Sequence, residues 1–233
     1  MEDGYPVLKS DIVEVKQKIQ EGPFFRSFIC TRGLDFKKYT IKQVDLNDEK
    51  DVVEAIREVE LHAALQHRRV IRYVTSWITS DMADNGLLEI PYDSVPGRHG
   101  HIPPIPRINR AALRSAWDLG IKLYLYILMD MAEYDFRGVL MKSGRLRECS
   151  PAPPMVLTDK LRWRWTLQLA QGLDYLHRQM HVVHRNINMG NICVRSGNIA
   201  LGEFEAALPL AEGECARGIH SPGARPLPPS CLE

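Results

Sequence analysis

The sequence predicts an α+β fold in which several strands and one helix precede a longer helix and a few short strands. Strand-like runs rich in β-branched and aromatic residues lie within 12–46 and at 70–78. Between them, the segment 48–66 carries apolar residues every three or four positions, as a helix does. A second, longer helical pattern covers 158–179, after a loop that contains three prolines.

The first half of the chain holds the clearer strand and helix signals. The best-defined strand, 39–44, follows the turn-forming Gly33. Acidic residues open the helix at 48–66, where carboxylates interact favourably with the helix dipole. The apolar stripe of that helix consists of Val52, Ile56, Val59 and Ala63.

Prolines interrupt the segment 79–120, and arginines make it basic. We predict that it is a long, largely disordered insertion with a short helix near 111–117. The positive charges there fit a solvated loop, and contact with an acidic partner is the alternative. The prolines are Pro91, Pro96, Pro103, Pro104 and Pro106, and the arginines are Arg98, Arg107, Arg110 and Arg114.

The second half begins with the apolar run 123–129, which has the length of a buried strand. A short helix is predicted at 134–142, and short strands at 182–183, 192–194 and 199–201. The long helix starts after Thr158 and places one set of apolar residues near a common face. That set is Leu161, Trp165, Leu169, Leu173 and Leu176. The segment 209–233, rich in proline and glycine, is predicted to be a disordered tail.

Composition excludes several functional classes. Lys and Arg total 30 against 29 Asp and Glu, so no general attraction to nucleic acid or acidic membranes is expected. The five cysteines are scattered without metal-ligand spacing, which indicates reduced thiols. The charged N-terminus is not a signal peptide, and the longest apolar run is too short to span a bilayer. We therefore expect a soluble, cytoplasmic protein.

Three motifs resemble those of protein kinases. His184-Arg185-Asn186-Ile187-Asn188-Met189-Gly190-Asn191 resembles the catalytic loop, in which His-Arg-Asp is followed by an asparagine five residues after the aspartate. Glu203-Phe204-Glu205 resembles the metal-binding Asp-Phe-Gly motif. Upstream, Lys42 and Glu58 resemble the lysine and glutamate that pair in this family.

A longer stretch narrows the resemblance. Residues 57–77, REVELHAALQHRRVIRYVTSW, are similar to the kinases of the alpha subunit of eukaryotic translation initiation factor 2. Those kinases also carry an insertion after this strand. The resemblance covers about 8–208 and implies a two-lobed fold, with an N-lobe of antiparallel sheet and one helix at 8–132. An incomplete helical C-lobe would then occupy 133–208.

The same resemblance assigns roles. Lys42, held by Glu58, would place its ammonium at the phosphates of ATP, and Gly22 would lie in the phosphate loop at 20–25. Asn191 and Glu203 would hold magnesium. The adenine would meet backbone groups of a hinge, with Met129 behind it; that hinge comprises Asp130, Met131 and Ala132.

Four departures from the family pattern predict that phosphotransfer is lost. Gln20 and Phe25 replace glycines of the phosphate loop, and Pro23 removes an N–H donor. Asn186 replaces the aspartate that accepts the substrate proton. Asn188 stands where a lysine usually steadies the phosphate. Glu203 keeps the charge of the metal-binding aspartate but is one methylene longer.

The sequence therefore indicates a pseudokinase that regulates or scaffolds another protein, such as an active kinase or a translation factor, with weak or no binding of ATP and Mg²⁺. The alternative is an active serine/threonine kinase that uses Glu203 for magnesium. A third interpretation is the product of a pseudogene. No activation segment with Ala-Pro-Glu is recognisable after Leu208, so we expect a fragment or a truncated product.

Overall fold

The computed structural model describes residues 12–22, 25–80, 110–142 and 157–210. They confirm the predicted α+β class. The chain divides into two compact units, one formed by residues up to 66 together with 72–131, and the other by 67–71 together with residues from 132 onward. The predicted lobe boundaries, at 8–132 and 133–208, stay a prediction.

A five-stranded antiparallel sheet forms the first unit, with strand order β1-β2-β3-β5-β4. Its central strand β3 pairs with β2 on one side and with β5 on the other, so that Lys42 faces Ser27 and Ile127 across the sheet. The predicted strands at 39–44 and 123–129 are thereby confirmed. The strands are β1 Ile12–Glu21, β2 Phe25–Arg32, β3 Lys38–Leu46, β4 Tyr73–Ser80 and β5 Leu123–Asp130.

The strand predicted at 70–78 is displaced, since β4 runs from Tyr73 to Ser80. Val70 instead forms an isolated parallel bridge with Leu201, and the N–H of Ile71 donates to the Leu201 carbonyl at 2.8 Å. Both partners lie in the second unit. Val70 and Ile71, at the apolar start of the predicted strand, therefore bond to Leu201 and not to the neighbouring strand of the sheet. The alternation of apolar residues in the sequence does not show which partner they take.

Helix α1, Glu49–Ala64, lies within two residues of its predicted bounds. The Asp48 carboxylate caps it by accepting from the N–H of Asp51 at 2.8 Å. Its buried residues contact β3 and β4. Side chains alternate along a strand, so Lys42 points toward α1 while Ile41 points to the opposite face. That opposite face carries a buried cluster of Phe28, Cys30, Tyr39, Ile41, Trp77, Tyr126 and Leu128.

Helix α2, Arg110–Asp118, confirms the short helix predicted at 111–117. Its Leu113 and Ala116 are buried, and the indole N–H of Trp117 donates to the Leu46 carbonyl at 3.0 Å. Arg114 pairs with Glu49 of α1 at 2.9 Å. The disorder predicted for the insertion does not extend to Thr79 and Ser80, which belong to β4, nor to α2. Its remainder, 81–109, lies outside the described residues.

In the second unit, the described residues contain two α-helices and two small sheets, in keeping with the predicted incomplete helical part. The sheets have the orders β6-β8-β9 and β7-β10. The elements are β6 Tyr134–Asp135, α3 Phe136–Lys142, α4 Asp159–Asp174, β7 Val182–Val183, β8 Ile192–Arg195, β9 Asn198–Leu201 and β10 Leu208–Pro209. The helix predicted at 134–142 therefore begins two residues late, after β6.

Helix α4 starts at the predicted residue, with the Thr158 hydroxyl accepting from the N–H of Leu161 at 3.2 Å. It continues into a single π-helical turn, Tyr175–Gln179. Of its predicted apolar face, Trp165 and Leu176 are buried. The described part of the chain contains no helix with the length and apolarity needed to cross a membrane. The tail predicted from 209 begins in β10, and 211–233 lie outside the described residues.

Two large apolar side chains of α4 face away from the packed side of the helix. Trp165 joins a buried cluster with Val139, Val194 and Ile199. By contrast, the side chains of Trp163 and Leu167 are 76% and 61% exposed. Helix α4 therefore leaves two large apolar side chains uncovered.

Candidate functional site

The predicted pairing of Lys42 with Glu58 is confirmed. The Lys42 ammonium donates to Glu58 Oε1 at 2.8 Å, and the two side chains are only 1% and 6% exposed. Lys42 lies on the central strand of the sheet, and the Asp48 cap sets the register of the helix that carries Glu58. Burial keeps the pair out of water, so each charge depends strongly on the other.

Phe25 covers the same ammonium. Its ring centroid lies 4.9 Å from Lys42 Nζ, within the range of a cation–π interaction. Gly22 accommodates the ring, because a Cβ at that position would lie 2.4 Å from Phe25 Cε1. The sequence had placed Gly22 and Phe25 in the phosphate loop but did not predict the contact with Lys42. The register between β2 and β3 explains this contact. Phe25 pairs with Val44, which lies two residues from Lys42 and on the same face of β3.

At the predicted hinge, Asp130 is buried and already engaged. Its carboxylate accepts two hydrogen bonds from the Arg72 guanidinium, at 3.1 and 2.9 Å. Its own N–H donates to the Arg72 carbonyl at 2.9 Å. The hydrogen bonds that Arg72 donates to Asp130 raise the pKa of Arg72. Met129 is buried and Met131 half-buried in the same unit, whereas Ala132 belongs to the second unit. The contact of Arg72 with Asp130 was not predicted from the sequence.

Three asparagines of the predicted catalytic loop hydrogen-bond to one another. The Asn188 amide donates to Asn186 Oδ1 at 2.8 Å, and Asn188 Oδ1 accepts from the N–H of Gly190 at 2.8 Å. The Asn191 amide donates to the Asn186 carbonyl at 2.9 Å. Asn186, Asn188 and Asn191 therefore lie together in this loop. Protein kinases carry their catalytic base at the position of Asn186. Here the side-chain oxygen at that position accepts a hydrogen bond from Asn188.

His184 links this loop to the segment that carries Glu203. Its Nε2 donates to the Gly202 carbonyl at 2.9 Å, which places the ring proton on Nε2 because a carbonyl can only accept. The ring lies 4.9 Å from that of Phe204. Burial lowers the pKa of His184, so the neutral form is favoured inside the fold. The N–H of Gly202 donates to the Asn191 carbonyl at 3.0 Å, which ties Glu203 to the asparagine loop.

Glu203 adopts a backbone conformation that is uncommon for its residue type. Its φ is +58°, in the left-handed region that asparagine and aspartate enter more readily than glutamate. Burial, followed by the charges of Glu203 and Asp135, raises the pKa of the Cys193 thiol to about 12. Cys193 is therefore a neutral thiol. Among the described residues, no three His, Cys, Asp or Glu side chains form a group that could hold a metal ion.

Sequence comparison finds protein kinases along most of this chain. It is 26% identical over 208 residues to eIF-2-alpha kinase GCN2 of Arabidopsis thaliana, which covers 85% of this chain and 15% of that protein. It is 25% identical over 195 residues to the interferon-induced, double-stranded RNA-activated protein kinase of Rattus norvegicus, covering 83% of this chain and 31% of that kinase. The chain is a distant homologue of the protein kinases.

A further kinase shows the same pattern. The serine/threonine-protein kinase Nek6 of Oryza sativa is 24% identical over 214 residues, which is 90% of this chain and 30% of that protein. This kinase homologue thus spans no more than about a third of the length of these curated relatives. No known family profile matches it.

Protein kinases bind ATP through a lysine at the phosphates and through magnesium ions held by an aspartate and an asparagine. In this homologue, the buried Lys42 ammonium bonds to Glu58 and lies 4.9 Å from the centroid of the Phe25 ring. Glu203 and the amide oxygen of Asn191 offer oxygen ligands of the kind that Mg²⁺ prefers. Mg²⁺ usually completes its coordination with substrate phosphates and water.

Proposed function

We propose that this chain is a pseudokinase domain that regulates or scaffolds another protein and transfers no phosphate. Asn186 is the observation that carries the proposal. An amide has no useful basicity, so the general-base contribution of roughly 10²–10⁴ in rate is absent. Its oxygen also accepts from Asn188, which strengthens the case that this loop serves a structural purpose.

Two further substitutions lower the expected rate. Asn188 lacks the positive charge that would steady a transferring phosphate. Glu203 is longer than aspartate, and misplacing a reacting group by about 1 Å can cost roughly 10² in rate. From a typical kinase turnover of ~1–100 s⁻¹, loss of the base together with one such misplacement leaves below about 10⁻² s⁻¹.

The partner in this proposal is another protein, either an active kinase or a translation factor. The near balance of positive and negative side chains, with a net charge of +1, argues against a general attraction to nucleic acid. Among its relatives, one is named for the kinase of initiation factor 2 alpha. That similarity supports a place in the regulation of translation.

The second candidate is an active serine/threonine kinase that uses Glu203 for magnesium and acts on initiation factor 2 alpha or a similar protein. The buried Lys42–Glu58 pair favours it, because that pair is also required in active kinases. The names of the curated relatives favour it as well.

Radiolabelled ATP decides between the two candidates. Wild type, Asn186→Asp and Lys42→Arg are incubated with a generic basic protein, first with Mg²⁺ and then with Mn²⁺. Lys42→Arg keeps the charge that pairs with Glu58, so it is a milder control than Lys42→Ala, which is included beside it. We expect no incorporation by any protein, Asn186→Asp included. Incorporation by wild type that disappears in Lys42→Ala would establish the active kinase instead.

A further inference from the structure

We propose that Phe25 closes the phosphate subsite, so that this chain prefers a nucleoside without phosphates over a nucleoside triphosphate. The inference deepens the proposed function and rests on it, because it names the ligand preference of the same nucleotide site. The residues that carry it are Gly22, Phe25, Lys42 and Glu58, and all four lie in the first unit.

The surroundings of the Lys42 ammonium leave no approach for an anion. One of its N–H groups donates to Glu58 Oε1 at 2.8 Å, and the Phe25 ring lies 4.9 Å from Nζ. The Lys42 side chain is 1% exposed. A phosphate oxygen that bonds an ammonium must approach to about 2.7–2.9 Å. Such an approach requires the Phe25 ring to leave.

Backbone contacts on both sides position the residue that carries this ring. Phe25 opens β2 and pairs with Val44, while the N–H of Gly22 donates to the Phe25 carbonyl at 2.8 Å. Any side chain at position 22 would collide with the ring. Gly22, the glycine retained in the loop, therefore makes room for an aromatic ring, where a glycine in a phosphate loop makes room for phosphate.

Ligand preference follows from what each ligand must displace. A cation–π contact in a desolvated place opposes phosphate binding by roughly tenfold to thirtyfold in affinity. Adenine and ribose do not need the Lys42 ammonium, so a nucleoside avoids this cost. In wild type, the phosphates of ATP therefore add nothing to affinity. When the Phe25 ring is removed, the phosphates of ATP gain the attraction of the Lys42 ammonium.

The test measures the dissociation constants of adenosine and ATP for the full 233-residue chain by titration calorimetry, with and without Mg²⁺. We expect wild type to bind ATP no more tightly than adenosine. Phe25→Ala is expected to bind ATP about tenfold to thirtyfold more tightly than wild type, with adenosine changed less than twofold. Phe25→Tyr, which keeps a ring, is expected to behave as wild type. Phe36→Ala is the matched control, because Phe36 is an exposed ring in the same unit.

A second readout follows the ammonium directly. Acetylation by acetic anhydride, read by peptide mass spectrometry, is expected to be slow at Lys42 and fast at Lys50, whose side chain is 79% exposed. Phe25→Ala accelerates labelling at Lys42 and leaves Lys50 unchanged. If Phe25→Ala does not fold by circular dichroism, Phe25→Thr, which removes the ring and favours a strand, undergoes both measurements.

Three results would overturn the proposal. The first is wild type that binds ATP at least tenfold more tightly than adenosine. The second is a folded Phe25 variant, alanine or threonine, that gains no ATP affinity, and the third is Lys42 labelling that this variant does not change. Phosphotransfer by wild type would refute the proposed function in a separate assay, so the two failures are distinguishable.

Discussion

The Arg72 guanidinium donates two hydrogen bonds to the Asp130 carboxylate, at 3.1 and 2.9 Å, and so fixes the last residue of β5. Asp130 is buried, whereas the Arg72 side chain is largely exposed. Arg72→Met is expected to lower the free energy of unfolding by about 1–2 kcal/mol, because it leaves a buried carboxylate without its partner. Urea denaturation measures the change.

Arg178 provides the control for this prediction. It pairs with Asp174 at 2.9 Å, but both side chains are exposed. Arg178→Met should therefore change the free energy of unfolding by less than about 1 kcal/mol. Equal losses for the two arginine variants would show that burial of the Asp130 carboxylate does not matter.

Removal of one member of the Lys42–Glu58 pair should be far more damaging than removal of both. Because the pair is buried, Lys42→Met leaves an uncompensated carboxylate and is expected to cost about 3–5 kcal/mol. Lys42→Met combined with Glu58→Leu should recover most of that loss, since both charges are then gone. Urea denaturation of the wild type, both single variants and the double variant completes a cycle. Additive losses would contradict the prediction.

The exposed side chains of Trp163 and Leu167 should make the isolated 233-residue chain prone to aggregate. Each uncovered side chain of this size forgoes roughly 1.5–3 kcal/mol of burial. Trp163→Lys combined with Leu167→Glu is expected to raise the monomer fraction in light scattering without lowering the melting temperature. Trp165→Lys, which alters a buried neighbour on the same helix, should unfold the chain. A wild type that is already a stable monomer would refute this expectation.

The protein should become less stable as the pH decreases, because histidines whose pKa is lowered in the folded state must then take up a proton. Burial lowers the pKa of His184, and burial followed by the charges of Arg68 and Arg69 lowers the pKa of His67. A folded pKa below the unfolded value of about 6.5 gives stability that is complete above that pH. This stability is lost as the pH falls through the folded pKa.

The measurement is the free energy of unfolding between pH 7.5 and pH 5, values chosen to bracket the ordinary histidine pKa of about 6.5. His184 contributes a slope of at most about 1.4 kcal/mol per pH unit, and the more exposed His67 contributes less. His184→Gln should reduce the slope while its amide can still donate to Gly202. His67→Gln should reduce it by a smaller amount. An unchanged slope in the double variant would disprove the assignment.

Local sequence patterns determined most of the elements but not their partners. The periodic stripe and the acidic residues at its start predict α1 within two residues, because a helix depends on neighbours three and four positions away. Val70 and Ile71 were assigned to β4 because they are apolar, yet they bond to Leu201, far along the chain. Which strand an apolar residue joins depends on long-range packing that its neighbours in sequence do not encode.

The candidate site shows the same division. The motif residues Lys42, Glu58, Asn186 and Asn191 were identified by their resemblance to kinase motifs, and the Lys42–Glu58 contact followed from the same resemblance. The Phe25 ring on Lys42 could not be identified in this way, since it depends on the register between two strands. The same is true of Arg72, whose role depends on the burial of Asp130.

Helix α2 returns the chain to the sheet before β5 begins. Trp117 bonds to the end of β3, Arg114 pairs with the start of α1, and Ser80 and Leu123 are opposite each other in neighbouring strands. Both ends of the segment 81–109 are therefore anchored within the first unit. Closing such a connection costs only about 0.6 kcal/mol more for each doubling of its length. We therefore expect that an affinity tag inserted between 81 and 109 leaves the first unit folded and can be used to isolate proteins that bind the domain.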